Sequence, residues 1–297
     1  MAHPLKAARE KGARARGQDN ALVVDLEFWY SPEFVRGHVL EQNDDQLPQS
    51  VVPLLDILAK YRTRATFAVL GTVAERYPEL VKLIFNQGHE IASHGYSHKT
   101  LYELSENDFE QEIVKSVELL TSITGERPVG FRAPSYSLNN STRWALQILC
   151  EHGFKYDASV FPIKTNLYGV PGAPLHPYRP SVEDIAKESQ HRELVEFPMT
   201  VFKLGMNIPV AGGFYLRVLP SSFLKFALKR TALTRPVIVY IHPWETYDKT
   251  PRVDGLPRLH RFVTYYGINK ALWKLEQLLA ELRFRPIKEV LAEEGLI

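Results

Sequence analysis

Residues 21–28 read ALVVDLEF, an apolar run that ends in two carboxylates set two positions apart. A short, uninterrupted apolar run is the mark of a strand buried on both faces, as in parallel sheets covered by helices. Because a strand alternates its side chains, Asp25 and Glu27 point into one space. Two like charges held together there are unfavourable without a cation or a proton between them. The pattern repeats outward from this strand. A helical segment over 51–59 precedes a buried strand at 65–70, and a helical segment over 73–85 is closed by Gly88 ahead of a strand ending at Ser93. Ser105 and Asp108 have the spacing of a capping box, and Phe109, Ile113, Val117 and Leu120 form one apolar stripe, so a helix is expected over 105–123.

The alternation continues to the end of the chain. Strands are expected at 129–132 and 155–157 around a helix at 141–152, and strands at 193–197 and 237–241 around a helix at 220–232. Residues 163–192, rich in Pro, Gly and His, read as a long loop, and a last helix is expected over 269–282. Apolar strands alternating with amphipathic helices predict an α/β fold, a single closed or nearly closed, distorted (β/α) barrel over 21–297. Residues 1–20 read as a flexible basic tail.

Composition excludes several classes of function. With 297 residues and 45% hydrophobic content, the chain is neither disordered nor too small to bury a core. Its net charge is +2, and residues 1–20 hold five basic against two acidic side chains, which leaves the remainder close to neutral. A nucleic-acid partner is therefore not expected, since such binding relies on neutralising phosphates. The single cysteine, Cys150, allows no internal disulfide. No apolar run reaches the length of a membrane span and none reads as a secretory signal, so the expected location is cytoplasmic.

Barrel chemistry sits at the C-terminal ends of strands. Polar residues break the apolar strands there at four places: Asp25 and Glu27, His94 and His98, Arg132, and His242. His94-x-x-x-His98 has the spacing with which one helical turn presents two imidazoles to a divalent ion. Two histidines and one carboxylate leave coordination positions open for water and substrate, which marks a catalytic rather than a structural metal.

The stretches GHEIASHGYSH (88–98), GFRAPSYS (130–137) and YDASVFP (156–162) resemble the polysaccharide deacetylases of the NodB-homology type, within carbohydrate esterase family 4. The stretches FPMTVFKLGMNIPVAGGFYLRVLP and VIVYIHPWETYDKTPRVDGLPRLHRFVTYYGINKALWKLEQLLAELRF resemble a narrower subgroup, found in exosortase-associated exopolysaccharide loci and carrying a C-terminal region of the DUF3473 type, here about 160–297. The resemblance implies a distorted barrel of about seven parallel strands. It also implies a divalent metal, most simply Zn2+ with Co2+, Mn2+ or Ni2+ as alternatives, held by His94, His98 and Glu27.

Further roles follow from the same resemblance. Asp25 is the implied general base, with the reverse assignment of Asp25 and Glu27 also open, because this chain reads Asp-Leu-Glu where the family usually has Asp-Asp. Arg132 would hold Asp25, the Ser135 backbone N–H would donate to the oxyanion, and His242 would be the general acid with Asp157 as its partner. Apart from the resemblance, the aromatic residues Trp29, Tyr30, Phe214, Tyr215 and Trp244 are candidates either for a sugar groove or for the core, and of the aromatics Tyr136, Phe214 and Trp244 are expected at the substrate side of the site. The implied reaction is removal of an N-acetyl group from an amino sugar in exopolysaccharide synthesis, on a polymer or a lipid-linked saccharide. The alternatives are another amide hydrolase, such as a deformylase of lipid-linked sugars or an allantoinase-like enzyme, and an inactive carbohydrate-binding barrel.

Overall fold

The computed structural model describes residues 19–39, 46–165, 168–189 and 193–297. The expected basic tail therefore lies almost wholly outside the described residues. The strands are β1 (Asn20–Leu26), β2 (Thr66–Val69), β3 (Glu90–Ser93), β4 (Gly130–Phe131), β5 (Tyr156–Asp157), β6 (Val195–Glu196), β7 (Val201–Leu204), β8 (Met206–Pro209), β9 (Ile238–Ile241) and β10 (Phe284–Arg285). The helices of the first half are α1 (Glu33–Arg36), α2 (Leu47–Lys60), α3 (Gly71–Arg76), α4 (Pro78–Asn86), α5 (Glu106–Thr124) and α6 (Ala145–Glu151). Those of the second half are α7 (Gly213–Val218), α8 (Ser221–Ala232), α9 (Arg258–Tyr265), α10 (Ile268–Leu279) and α11 (Ile287–Glu293).

Eight strands form one parallel sheet in the order β10-β1-β2-β3-β4-β5-β6, with β9 also on β1. β10 pairs Asn20 and Ala21, below the point where β2 begins its pairing at Val23, so seven strands follow one another around the sheet. Among the described residues no ladder joins β6 to β9, so the sheet curls without closing. This is the expected distorted barrel. The hairpin β7–β8 stands apart as a second, antiparallel sheet.

β1 shows why the carboxylates face inward. Ala21 and Val23 pack in the interior cluster with Ala68, Tyr156, Val195, Ile238 and Tyr240. Leu22, Val24 and Leu26 pack outward against Leu54, Leu58, Val73 and Leu275 of the helical layer. Asp25 and Glu27 continue the inward series, and both are buried. Interior volume is tightly matched, because a Cβ at Gly130 would lie 2.0 Å from the Tyr156 ring.

Several elements differ from the sequence reading. The helical segment over 73–85 is two helices, α3 and α4, parted at Tyr77 because Pro78 starts the second at its first position. The helix expected over 141–152 is regular only from Ala145. The helix α9, the hairpin β7–β8 and the terminal pair β10–α11 were not anticipated, each being short and carried by tertiary contacts more than by a long period. No helix among the described residues is long and apolar enough to cross a membrane.

The predicted capping box on α5 is formed in full: Ser105 Oγ accepts from Asp108 N–H, and Asp108 accepts from Ser105 N–H. Ser105→Ala should therefore lower stability by about 1 kcal/mol. Urea unfolding of the variant checks this, with metal binding expected to be unaltered.

Candidate active site

The strand ends surround a cavity of about 380 Å3 lined by Asp25, Glu27, His94, His98, Arg132, Ser135, Tyr136, Phe214, His242 and Trp244, together with Glu33, Arg217, Tyr240 and Glu245. Ten of the eleven residues singled out from the sequence thus meet in one space. The eleventh, Asp157, does not line it.

Glu27, His94 and His98 offer one ligand atom each, all within 4.8 Å of one another. The Nε2 of His98 lies 2.6 Å from Glu27 Oε2, and that of His94 lies 3.9 Å from it. His94 Nδ1 is 2.7 Å from the Arg132 carbonyl oxygen, an acceptor only, so the proton sits on Nδ1 and the Nε2 lone pair faces Glu27. Burial pushes the Glu27 carboxyl up, but the imidazoles of His98 and His242 hold it well below the usual carboxylate range. A carboxylate facing two imidazole nitrogens in a buried pocket is the donor set of a catalytic divalent site, so the residues fit a metal.

The histidine spacing works through a loop and not through the expected helical turn. His94 follows β3 directly, and His98 reaches back with a positive φ of 64°. The loop is shaped by Glu112 on α5, whose Oε2 accepts from Tyr96 N–H and Ser97 N–H at 2.8 and 2.9 Å and whose Oε1 accepts from Ser97 Oγ at 2.6 Å. Glu112 had no signal in the sequence, as it lies on the polar face of an amphipathic helix.

Arg132 Nε is 2.7 Å from Asp25 Oδ1, a charge contact at close range whose N–H is not aimed along the line of centres. The guanidinium also donates to the Ala158 carbonyl and to Tyr136 Oη, both at 2.6 Å, and lies 4.7 Å over the rings of Tyr136 and Tyr240. Burial acts against its charge, but Asp25, Tyr136 and Tyr240 together outweigh that and raise its pKa. Ser135 and Tyr136 both adopt φ near 53°, a left-handed conformation that non-glycine residues keep only when their surroundings impose it. Ser135 Oγ donates to the Glu33 carboxylate at 2.5 Å.

His242 lies 3.6 Å from Asp25 Oδ2 and 3.5 Å from Glu27 Oε1 through Nε2. Its Nδ1 is 2.7 Å from Glu245 Oε2, and this corrects the expectation for Asp157. Residues 243–246 form a single 3₁₀ turn that folds Glu245 back onto the imidazole three positions before it. Asp157 ends β5, separated from β9 by β1 to β4 in the sheet order. There it accepts from Ser159 Oγ at 2.5 Å and lies beside Glu196, burial raising the pKa of both carboxyls. Ser159 Oγ in turn accepts from Ala133 N–H at 2.7 Å, so Asp157 supports the turn after Arg132 and not His242.

Glu245 is itself clamped. Arg217 Nε and NH2 donate to its Oε1 at 3.1 and 2.8 Å. Burial pushes the Glu245 carboxyl up, yet Arg217 and His242 bring it down to about 2. Burial pushes the His242 imidazole down, but Glu27, Glu245 and Asp25 together lift it to about 9. The approach of Glu245 needs Gly213, where a Cβ would lie 1.6 Å from its Oε2. Trp244 donates its indole N–H to Glu27 Oε1 at 3.1 Å and stacks 5.2 Å from His242, so it orients the site as much as it walls it. The spacing His242-x-x-Glu245 was visible in the sequence, whereas Arg217 sits in an apolar helix and gave no signal.

Comparison with known proteins fits this geometry. Residues 38–156 match the family described as polysaccharide deacetylase, and residues 158–292 match a domain of unknown function, DUF3473. Over 107 residues the chain is 38% identical to a peptidoglycan deacetylase of Helicobacter pylori, covering 36% of this chain and 36% of that protein. Over 127 residues it is 38% identical to a peptidoglycan-N-acetylglucosamine deacetylase of Bacillus cereus, covering 42% and 46%. The matched region spans less than half the length of either relative. A crystal structure of a probable polysaccharide deacetylase from Pseudomonas aeruginosa PAO1 shares the fold, with a TM-score of 0.61 at 16% identity over 96% of this chain and 94% of that one. Residues 38–156 are thus similar to the polysaccharide deacetylase family, and the likeness of fold extends over nearly the whole chain.

Glu245→Gln should shift the pH profile. The protonated form of His242 is the one that can donate, so kcat/KM falls as pH rises through the His242 pKa. Removing the Glu245 charge takes away one of the lifts on that pKa, and the alkaline limb should move to lower pH. A pH–rate series on the two proteins measures this, and an unmoved limb would show that Glu245 does not act on His242.

Proposed function

We propose that this chain is a member of the polysaccharide deacetylase family and a metal-dependent hydrolase that removes an N-acetyl group from an amino sugar. The observation that carries the reading is the convergence on one cavity of Glu27, His94 and His98 with two proton-transfer groups, Asp25 and His242. The names of the relatives, which act on peptidoglycan, support the substrate class. A barrel that only bound a saccharide would have no need of two proton-transfer groups, one held by Arg132 and the other, through Glu245, by Arg217.

Glu27, His94 and His98 would hold the metal, and two nitrogens with one oxygen suit Zn2+. When bound, a divalent cation supplies Lewis acidity to the amide carbonyl and to water. The protein's own groups then divide the proton transfers. Asp25, positioned by Arg132, takes a proton from the attacking water. The tetrahedral oxyanion would be met by the backbone N–H of Ser135, a residue of the cavity wall. His242 gives its proton to the departing nitrogen, which leaves as an amine only once protonated. Glu245 keeps the imidazole charged and oriented for this step, and Arg217 keeps Glu245 ionised.

The place of this reaction, in the same reading, is exopolysaccharide synthesis in the cytoplasm. Its support is the resemblance of the C-terminal region to the exosortase-associated subgroup.

Amine release from N-acetylglucosamine oligosaccharides should depend on added Zn2+ and be lost to a chelator. Asp25→Asn should keep stoichiometric metal and lose turnover by about 10²–10⁴. Glu27→Gln should weaken metal binding, with excess Zn2+ restoring part of the activity. Metal lost from Asp25→Asn and kept by Glu27→Gln would reverse the two roles. The double variant His94→Ala, His98→Ala should remain folded and bind no metal, and metal retained by it would overturn the ligand assignment.

A further inference from the structure

The helix α9, sequence RLHRFVTY, stands at the rim of the cavity. Its inner side, Thr264 and Tyr265, is buried, and Val263 and Thr264 line the cavity. Its outer side carries Leu259 at 68% exposure and Phe262 at 43%, and Tyr266 just beyond the helix is 48% exposed. Positions 259, 262 and 266 follow helical spacing, so the three form one strip, and Phe262 lies 4.9 Å from Tyr266. The strip runs into the cavity wall, since Phe262 is 6.1 Å from the ring of Phe214.

The strip is held rigidly. Arg217 NH1 donates to the Tyr266 carbonyl at 2.6 Å and NH2 to the Val263 carbonyl at 2.7 Å, while His260 stacks 4.3 Å from Phe34. The same arginine clamps Glu245, so the rim helix and the acid side of the site are one rigid unit. Basic side chains flank the apolar strip. Arg252, Arg258, Arg261 and Lys270 are all exposed, and among the described residues none of them has a carboxylate within ion-pair distance. The concentration of positive charge contrasts with a chain whose net charge is only +2.

From this face we infer that the protein docks on an anionic phospholipid bilayer through α9, with Leu259, Phe262 and Tyr266 entering the headgroup layer and the arginines meeting lipid phosphates. Large apolar side chains exposed in a row, rimmed by cations, are the pattern of a helix that lies in a membrane interface. Anionic lipid supplies the complementary charge. A symmetric contact with a second copy would set Arg258 and Arg261 against each other, and a deacetylated amino-sugar polymer would present ammonium groups to the same cations. Docking in this way brings the cavity mouth to the lipid surface. It therefore names the substrate class as an amino-sugar saccharide tethered to lipid, and that part rests on the hydrolase reading above.

The test uses the full chain with vesicles of phosphatidylcholine alone and of phosphatidylcholine with phosphatidylglycerol. The protein should sediment with the phosphatidylglycerol vesicles at least about tenfold more strongly than with the neutral ones, and raised salt should release it. Leu259→Glu, and separately the pair Arg258→Glu and Arg261→Glu, should each reduce that binding by about tenfold or more while leaving the melting temperature and the turnover of a soluble N-acetylated oligosaccharide unchanged. Equal sedimentation with both vesicle types, or binding that neither variant weakens, overturns the inference. So does a concentration-dependent dimer that Leu259→Glu dissolves, which would make the face a contact between copies. Retention on an insoluble amino-sugar polymer without vesicle binding would likewise make it a saccharide platform. Soluble-substrate turnover tests the hydrolase reading without vesicles, so each idea can fail while the other stands.

Discussion

A guanidinium buried beside a carboxylate, Arg132 against Asp25, sets the position of most groups around the cavity. Removing either partner would leave an uncompensated charge in a site shielded from water, which is far more destabilising than losing a surface pair. The cation is shared further, because it donates to the Ala158 carbonyl and to Tyr136 and lies between two tyrosine rings. Its own carbonyl accepts from His94 and so fixes which imidazole nitrogen is left to bind metal. One residue thereby couples the carboxylate assigned as base to a histidine assigned as ligand, through its side chain in one case and its backbone in the other.

The cavity is assembled from three parts of the chain. Asp25 and Glu27 precede both matched regions, His94, His98, Arg132 and Ser135 lie within residues 38–156, and Phe214, Arg217, His242, Trp244 and Glu245 lie within 158–292. The second region, for which the matching description gives no function, contributes the whole of the Arg217–Glu245–His242 chain. Its part is to hold one imidazole charged and aimed, with Gly213 leaving the space in which Glu245 can approach.

The inward direction of Asp25 and Glu27 could be read from the sequence because strand alternation is a local rule and β1 obeys it along its length. The long apolar stripe and cap of α5 were legible for the same reason. What local rules could not reach was the partner of each group. Asp157 has the residue type and strand-end position of a supporting acid, but strand order places it across the sheet from His242, and a carboxylate three residues from the imidazole takes that role. Glu112 and Arg217 lie on helices whose patterns are satisfied without them, so only the folded chain shows what they hold. The helical spacing of His94 and His98 picked out two residues that the fold does bring together, but for a reason that does not apply, since the two meet through a loop shaped by Glu112.

β1 occupies residues 20–26 yet takes its neighbours from 238–241 and 284–285. β1 is made before all three of its partners, and two of them follow it by more than 200 residues. Until those arrive, one edge of a largely apolar strand is open, and the loop that must close to cover it spans more than 200 residues. Topology of this kind gives slow folding and a long interval in which an unpaired strand edge is available to other chains.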